Sequence, residues 1–199
     1  IAEPYRRRRI APAHNGRVLE PSTGFVRDAT AADAEQIAQV QTRCWRADYG
    51  DSWPPELFAS LAESDLQMQW ARAVIAPPGP GYRVLVATEA DAVVGFAALA
   101  PSSDPDAEAG EAEIVAWEVA PEHRRAGHGS RLLAALADHA RSVGAHTLVV
   151  WVAPDDEARR TLVDQAGFAA DGAHREVALG EGWAASEVHM RQVRLVTAL

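Results

Sequence analysis

The run Pro77-Pro78-Gly79-Pro80-Gly81 divides the chain into two parts with different hydrophobic periodicity. A helix cannot continue through it, because proline lacks the amide hydrogen that a helical hydrogen bond needs and its ring clashes with the preceding turn. Before this run, apolar residues between positions 34 and 47 recur at helical spacing. After it, short apolar segments alternate with polar residues or are β-branched, as is typical of strands. The sequence therefore predicts a mainly helical first part and a sheet built mainly from the rest.

Turn and capping residues define the order of the elements. Residues 25–27 are predicted to form a short strand, Thr30 to cap a helix, and Pro54-Pro55 to open a second helix that Ser64 could restart. Six further strands are predicted at 82–88, 93–100, 111–119, 147–152, 175–179 and 187–196, with helices at 130–143 and from Asp155 or Asp156 to Ala166. This order predicts an α/β fold with a mixed sheet rather than a regular Rossmann repeat.

Charge and composition limit the classes of partner. The chain has 199 residues, 28 acidic and 19 basic side chains and a formal net charge of -9, and every basic residue is arginine. A general nucleic-acid binder needs a positive face to displace counterions, so we expect no nucleic-acid partner. No segment is apolar for the length of a membrane span, and a single cysteine, Cys44, excludes a disulfide framework. We therefore expect one domain with no membrane association, in the reducing cytoplasm.

Residues 1–24 are expected to form an N-terminal arm, and residues 25–199 the domain. The arm contains the basic run Arg6-Arg7-Arg8-Arg9 and no hydrophobic periodicity. No apolar stretch follows these arginines, so we do not expect a secretory signal. The arm is interpreted either as a flexible or surface-docked tail or as a contact for a phosphate or an acidic partner.

The segment with the most chemical content is Arg124-Arg125-Ala126-Gly127-His128-Gly129, between a predicted strand that ends at Val119 and a helix that begins near Ser130. Its glycines let the backbone approach a ligand closely, and the amides at the start of a helix attract anions. The helix dipole adds a positive end, so a pyrophosphate is the expected ligand. The segment is neither a Walker A loop nor a G-x-G-x-x-G fingerprint.

The stretch from Ala112 to Gly129 resembles motif A of the GNAT N-acetyltransferase superfamily. The segment Val188-His189-Met190-Arg191 is similar to that superfamily's last strand. A pattern in the first two helices of one bacterial subgroup is matched by Trp45, Tyr49-Gly50, Pro54-Pro55, Leu61 and Trp70. The resemblance covers residues 25–199. It implies the GNAT acyl-CoA N-acyltransferase fold, a central mixed, mostly antiparallel sheet of about seven strands flanked by about four helices.

The resemblance implies an enzyme that transfers an acetyl group from acetyl-CoA to a primary amine, small-molecule or peptidic, by direct attack in a ternary complex. It implies no metal, and the sequence has no ligand cluster with zinc spacing. The strand end would pair its backbone with the pantetheine arm, in a gap between this strand and residues 147–152. The implied cofactor-binding residues are Trp117, Val119, Arg124, Arg125, Ala126, Gly127, His128, Gly129, Ser130 and, at the start of the next helix, Asp156.

Two glutamates are candidates for the base that takes the proton from the amine. Glu113 lies fourteen residues before Gly127, where histone-type members of the superfamily place a catalytic Glu. Glu118 follows five residues later, on the opposite face of the strand unless a bulge changes the alternation. Either could instead be a solvated strand residue. Val163 stands where many members have the tyrosine that protonates the leaving thiolate, which leaves water, His123 or another tyrosine as the general acid.

Aromatic and acidic side chains between the first two helices suit a cationic amine and are the expected substrate-binding residues. They are Trp45, Tyr49, Asp51 and Trp53. Trp45 and Tyr49 could equally be core residues. The loops 101–110 and 180–186, with Trp183, are expected to form the other rim of the site.

Two other functions are compatible with the same fold. Val163 favours a catalytically weak or inactive protein that binds or senses acyl-CoA. A tRNA-acetylating toxin conflicts with the net charge of -9, although the arginines of the arm would suit one. The fold alone does not identify the amine. A monomer or a homodimer is expected, because the strand 187–196 could pair with a second copy.

Overall fold

Strands and helices follow one another in the order that the turn residues predict. The structure, a computed structural model, describes residues 24–179 and 188–199. The predicted arm up to residue 23, the loop 180–186 with Trp183, and Glu187 lie outside the described residues. The strands are β1 (Phe25–Asp28), β2 (Arg83–Glu89), β3 (Ala92–Pro101), β4 (Glu111–Val119), β5 (Thr147–Val152), β6 (Ala169–Leu179) and β7 (Val188–Ala198). The helices are α1 (Ala34–Tyr49), α2 (Pro55–Ser60), α3 (Glu63–Ile75), α4 (His128–Ser142) and α5 (Glu157–Gln165).

The strands form one seven-stranded sheet in the order β1-β2-β3-β4-β5-β7-β6. Every neighbouring pair is antiparallel except β4 and β5, which are parallel and joined through α4. The predicted mixed, mostly antiparallel sheet is therefore confirmed. β6 begins at Ala169, six residues earlier than predicted, because its pairing with β7 continues across a bulge between Ala170 and His174.

The described chain has five α-helices, one more than the four or so expected. The second predicted helix is divided, because Leu61 leaves the helical conformation (φ −79°, ψ 85°) and α3 starts anew at Glu63. α3 ends at Ile75, before the proline and glycine run, as predicted. In the two described stretches, 24–179 and 188–199, every helix is too short or too polar to cross a membrane.

Helices cover both faces of the sheet and bury a separate core on each. α4 buries Leu132 and Leu136 completely, in a cluster that also contains Val163 of α5. On the other face, α1 buries Ile37 and Val40 completely against β2 and β3. At about 25 cal/mol per Å² of apolar surface, these two cores are the main favourable term in folding. The central strands are thus fixed from both sides, and this positions β4 and β5.

The entry to α1 is held by a charged network around Asp33. Its carboxylate accepts two hydrogen bonds from the Arg27 guanidinium, both of 2.7 Å, and one of 2.7 Å from the Thr30 amide. The Asp33 side chain is only 6% exposed. The hydrogen bonds from Arg27, more than those from Thr30, lower the pKa of Asp33 to about 2 although burial opposes them.

Asp33→Asn is expected to lower the free energy of unfolding by about 2 kcal/mol at pH 7, the equivalent of that pKa shift. Because the folded-state pKa is depressed, the stabilisation is present above the unfolded pKa near 4 and is lost as the pH falls toward 2. Urea unfolding of both proteins between pH 7 and pH 2 measures this. A difference in stability that stayed constant down to pH 2 would contradict the assignment.

Cys44, on the inner face of α1, is completely buried in the core. Its Sγ donates to the carbonyl oxygen of Val119 at 3.3 Å, and burial raises the pKa of the thiol to about 12. We expect the native protein to react with iodoacetamide roughly 1,000-fold more slowly than a free thiol, because the thiolate is the reactive form. Labelling followed by mass spectrometry, with and without urea, tests this. Rapid labelling of the folded chain would show that the thiol is accessible.

Candidate functional site

The parallel strands β4 and β5 are paired over only part of their length. The register runs from Glu111 opposite Thr147 to Ile114 opposite Val150 and stops there. β4 continues along β3 to Val119, whereas β5 continues along β7. The two strands therefore part, and the edge of β4 that faces β5 is unpaired beyond Ile114 within the described chain. This is the gap expected between the two strands, and an extended ligand could add its own hydrogen bonds to that edge.

A β-bulge lies in β4 where the strands part. The register with β3 shifts at Val115, which has no partner on β3 and is 54% exposed. Ile114 and Trp117 both contribute to the core beneath α4, although they are three residues apart. Glu113 and Glu118 consequently lie on the same face of the sheet, the one covered by α1. The regular alternation that separates the two glutamates does not hold, because the extra residue resets it.

A cavity of about 160 Å³ lies at the gap and is lined on one side by residues of α1. Its wall includes one carboxylate, Glu118, and two guanidinium groups, Arg159 and Arg175. Five aromatic residues contribute to the wall, namely Trp45, Tyr49, Trp53, Trp117 and Trp151. The cavity is thus an aromatic pocket with a few charged groups, an arrangement typical of small-molecule sites.

Glu118 and Arg159 form an ion pair inside this cavity. The Arg159 Nη2 donates to Glu118 Oε2 at 3.1 Å, and the two side chains are 23% and 11% exposed. Burial raises the pKa of Glu118 above the usual glutamate range, although the positive charge of Arg159 acts in the opposite direction. Asp156, the predicted cofactor residue, caps α5 by accepting from the Arg159 amide at 2.9 Å. Its other oxygen lies 3.5 Å from Arg159 Nε, so it also holds that side chain.

Glu113, the other predicted base, does not line the cavity. Its side chain is 6% exposed and lies 3.5 Å from Nη1 of Arg175, and it is Arg175 that lines the cavity. Burial raises the pKa of Glu113, and the charge of Arg175 opposes this. The geometry therefore favours Glu118 over Glu113 as a group that could exchange a proton with a ligand in the cavity.

The start of α4 has backbone amides without acceptors in the helix. Gly127 is the N-cap with φ +82°, a left-handed conformation that favours glycine, and it offers no side-chain cap. By helix geometry, the amides of Gly127, His128, Gly129 and Ser130 have no acceptor within α4. A Cβ on Gly129 would lie 3.2 Å from Leu162 Cδ2, so the helix start approaches α5 closely. The preceding Arg125 is also left-handed, with φ +65°, and is exposed.

The Arg124 side chain points away from the helix start. Its two terminal nitrogens donate to the Asp48 carboxylate at 2.7 and 2.8 Å, and its Nε donates to the Val119 carbonyl at 3.0 Å. Asp48 raises the pKa of Arg124, which keeps the guanidinium charged. Arg124 thus ties the loop to the end of α1 and the end of β4. Arg124, which the sequence predicts to bind the phosphate, is therefore placed to shape the loop and is not a free cation.

The His128 side chain is buried beneath the loop. Its Nε2 lies 2.7 Å from Glu89 Oε1, and its Nδ1 lies 3.2 Å from Arg131 Nη1. His123, one of the candidates for the general acid, lies 3.1 Å from the other oxygen of Glu89 and does not line the cavity. Only the amide of His128 is therefore placed to meet a ligand. Val163 is fully buried in the core and does not line the cavity, so the position of the usual general acid lies outside the cavity wall.

Three of the four predicted substrate residues meet at the cavity. Tyr49 and Trp53 stack with ring centroids 4.4 Å apart, and Trp45 lies 6.0 Å from Trp53. Trp53 is only 8% exposed, so it is both a core residue and part of the wall. Asp51 is exposed and does not line the cavity, because the turn after α1 points it outward.

Sequence reasoning missed the opposite wall of the cavity. The Arg175 guanidinium lies over the Trp151 ring at 4.3 Å, and its Nε donates to Gln192 at 2.8 Å. Nothing in the sequence marks these residues, because they come from three different strands. Arg159 was missed for a different reason: an arginine in a charged helix ordinarily indicates a solvated face.

Arg194 and Trp151 fix the loop 101–110 against this wall. Arg194 of β7 donates to both oxygens of Asp106 at 2.7 Å, to Asp171 at 2.7 Å and to Asp104 at 3.4 Å. Asp104 in turn accepts from the Trp151 indole at 3.1 Å. The rim expected at this loop therefore lies beside the cavity.

A sequence model of the acetyltransferase (GNAT) family matches residues 34–168, about two thirds of the chain. The chain belongs to the acetyltransferase (GNAT) family. This GNAT chain is 37% identical over 158 residues to mycothiol acetyltransferase of Kineococcus radiotolerans, covering 79% of the chain and 43% of that relative. It thus spans less than half the length of that protein.

A second relative of this GNAT chain has a length closer to its own. The uncharacterized N-acetyltransferase YuaI of Bacillus subtilis is 30% identical over 128 residues, which cover 64% of the chain and 70% of YuaI. Among solved structures, YncA from Salmonella typhimurium with its cofactor acetyl-CoA superposes with a TM-score of 0.64. That match has 21% identity and covers 88% of this chain and 94% of YncA, and it shows that the fold is shared.

Proposed function

We propose that this GNAT protein is an N-acetyltransferase that moves an acetyl group from acetyl-CoA to a primary amine by direct attack in a ternary complex. One observation carries the proposal: β4 and β5 part beside the glycine-containing start of α4, and Glu118 lies in the cavity at that parting. The family match supports the reaction class, and YncA with its acetyl-CoA supports the co-substrate.

The residues present fit acetyl-CoA. The amides of Gly127 to Ser130 suit a pyrophosphate, because the start of a helix attracts anions and no side chain caps it here. Because Gly129 has no Cβ, α4 and α5 can approach each other closely at this point. The Trp117 indole donates a hydrogen bond of 3.2 Å to the Gly129 carbonyl. The unpaired edge of β4 up to Val119 suits the amides of an extended arm. Acetyl-CoA would supply the activated acetyl thioester.

In the proposed mechanism, Glu118 takes the proton from the attacking amine, directly or through a water. A carboxylate with a raised pKa is a stronger base than an ordinary one, which suits this role near neutral pH. Trp45, Tyr49 and Trp53 hold the acceptor amine, since aromatic faces attract cations. Arg124 shapes the loop through Asp48 and the end of β4.

Calorimetric titration with acetyl-CoA, followed by an amine panel with thiol-release detection, tests the proposal. We expect binding with a Kd below about 1 mM and turnover of at least one class of amine. Absence of binding would contradict the proposal. Binding without turnover on any amine would instead favour an acyl-CoA-binding protein, the alternative that the buried Val163 supports.

A further inference from the structure

The Arg159 side chain crosses the sheet through the gap between β4 and β5. Its helix, α5, lies on the α4 side, where Val163 packs into the core with α4. Its partner Glu118 lies on the other side, in the cavity that Tyr49 of α1 also lines. The contact of 3.1 Å between Arg159 Nη2 and Glu118 Oε2 therefore joins the two sides at the point where the strands part.

Arg159 is held in place and still has donors to offer. Glu118 occupies Nη2, and Asp156 lies 3.5 Å from Nε. Among the described residues, Nη1 has no hydrogen-bond partner, so its two N–H groups are available in the cavity. Burial acts to lower the pKa of Arg159, but the carboxylates of Glu118 and Asp156 outweigh it, so the guanidinium stays charged.

Acetyl transfer from a thioester creates a negative charge that this cation can meet. The amine nitrogen bonds to the carbonyl carbon, the carbon–sulfur bond breaks, and its electron pair leaves on sulfur. The proton released by the amine goes to Glu118, so the sulfur must either take a proton from elsewhere or leave as a thiolate. A fixed cation at the site of developing charge stabilises such an anion without transferring a proton.

The other candidates on the described cavity wall are less well placed. Burial raises the pKa of Tyr49, and its ring is stacked against Trp53. Arg175 lies over Trp151, on the wall away from α5, and its Nε is bound to Gln192. Arg159 alone among these extends from α5 into the gap.

We propose that Arg159 is a catalytic residue that stabilises the departing sulfur of CoA as a thiolate, while its other edge holds Glu118 ready to receive the proton of the amine. This inference rests on the proposed function, because it assumes that the thioester lies in the gap between β4 and β5. The guanidinium would stabilise the negative charge of the leaving sulfur without giving up a proton of its own.

The direct test measures the ionisation of the thiol of CoA when CoA is bound to the protein. The ultraviolet absorbance of the thiolate reports this ionisation during a pH titration. The pKa of the bound thiol should be at least about one unit below that of CoA in solution, as expected near an opposite charge. Arg159→Gln should return it to the solution value, and Arg159→Lys should lower it partly. Arg160→Gln is the matched control, because Arg160 is exposed on the same helix and donates to the Pro154 carbonyl.

Steady-state kinetics provide the second readout. Arg159→Gln should lower kcat by about 100-fold while the KM for acetyl-CoA changes by less than about 3-fold, as for loss of a donor used in the transition state. Failure of wild-type protein to bind CoA would overturn both the proposed function and this inference. A bound thiol that titrates like free CoA in wild-type protein would overturn the inference alone. This measurement uses only wild-type protein, so it does not depend on whether a variant folds.

Discussion

Glu118→Gln is expected to lower the rate of acetyl transfer by about 100- to 1,000-fold, while the affinity for CoA changes by less than about 3-fold. The substitution keeps the shape of the side chain and its contact with Arg159 but removes the site that accepts the proton of the amine. Stopped-flow or steady-state thiol release measures the rate, and calorimetry measures the affinity. Glu118 is the only carboxylate on the described wall of the cavity, which is why a large effect is expected.

Glu113→Gln is the matched control on the same strand and the same face. Its side chain lies behind Arg175 and does not line the cavity, so we expect a rate within about 3-fold of wild type. A large loss in this variant with little loss in Glu118→Gln would assign the base to Glu113 instead.

The pH dependence follows from the same carboxyl group. Burial raises the pKa of Glu118, and the base acts only when it is ionised. The rate should therefore fall as the pH decreases through a value above the ordinary glutamate range near 4.3. This acid limb should be missing from the residual activity of Glu118→Gln.

Gly129→Glu is expected to lower the affinity for CoA by at least about 100-fold. The new carboxylate would stand beside the free amides at the start of α4, where it would repel a pyrophosphate and compete for those amides. Its Cβ would also lie 3.2 Å from Leu162 Cδ2, within the contact between α4 and α5. Calorimetric titration with CoA gives the affinity, and a thermal unfolding curve shows whether the variant is folded.

Ser142→Glu is the control for added charge, because Ser142 is exposed at the other end of α4, about 20 Å along the helix axis. It should bind CoA within about 2-fold of wild type. Gly129→Ala carries the Cβ without the charge, and we expect it to fold and to bind slightly less tightly, since Leu162 can shift. Tight binding of CoA by Gly129→Glu would place the phosphate site elsewhere.

Much of the fold was predictable because it depends on local signals. The proline and glycine run ends α3, Thr30 and Asp33 start the first helical segment, and Gly127 begins α4 with the left-handed conformation that glycine favours. These features follow from backbone sterics and from hydrogen bonds between neighbouring residues. Loops and helix starts were therefore accessible from the sequence, including the candidate anion site.

The rest of the site depends on contacts between distant segments. The bulge at Val115 is fixed by the pairing of β4 with β3, so alternation along one strand could not show that both glutamates share a face. The ion pair between Arg124 and Asp48 joins residues that are 76 positions apart. Arg159 owes its place to the gap between the parallel strands, which the sequence predicted without showing what would extend into it.

The network around Arg194 lies at the rim of the cavity and apart from the residues proposed for the chemistry. Arg194 holds Asp104, Asp106 and Asp171, so a substitution at Arg194 would loosen the loop at Asp106, while Asp104 would keep its hydrogen bond from the Trp151 indole. Among the described residues, the start of α4 and Glu118 have no hydrogen bond to this network, so a change at Arg194 would leave them intact. Under the proposed function, a change at Arg194 would therefore alter the rim beside the cavity and leave the residues proposed for cofactor binding and proton transfer in place.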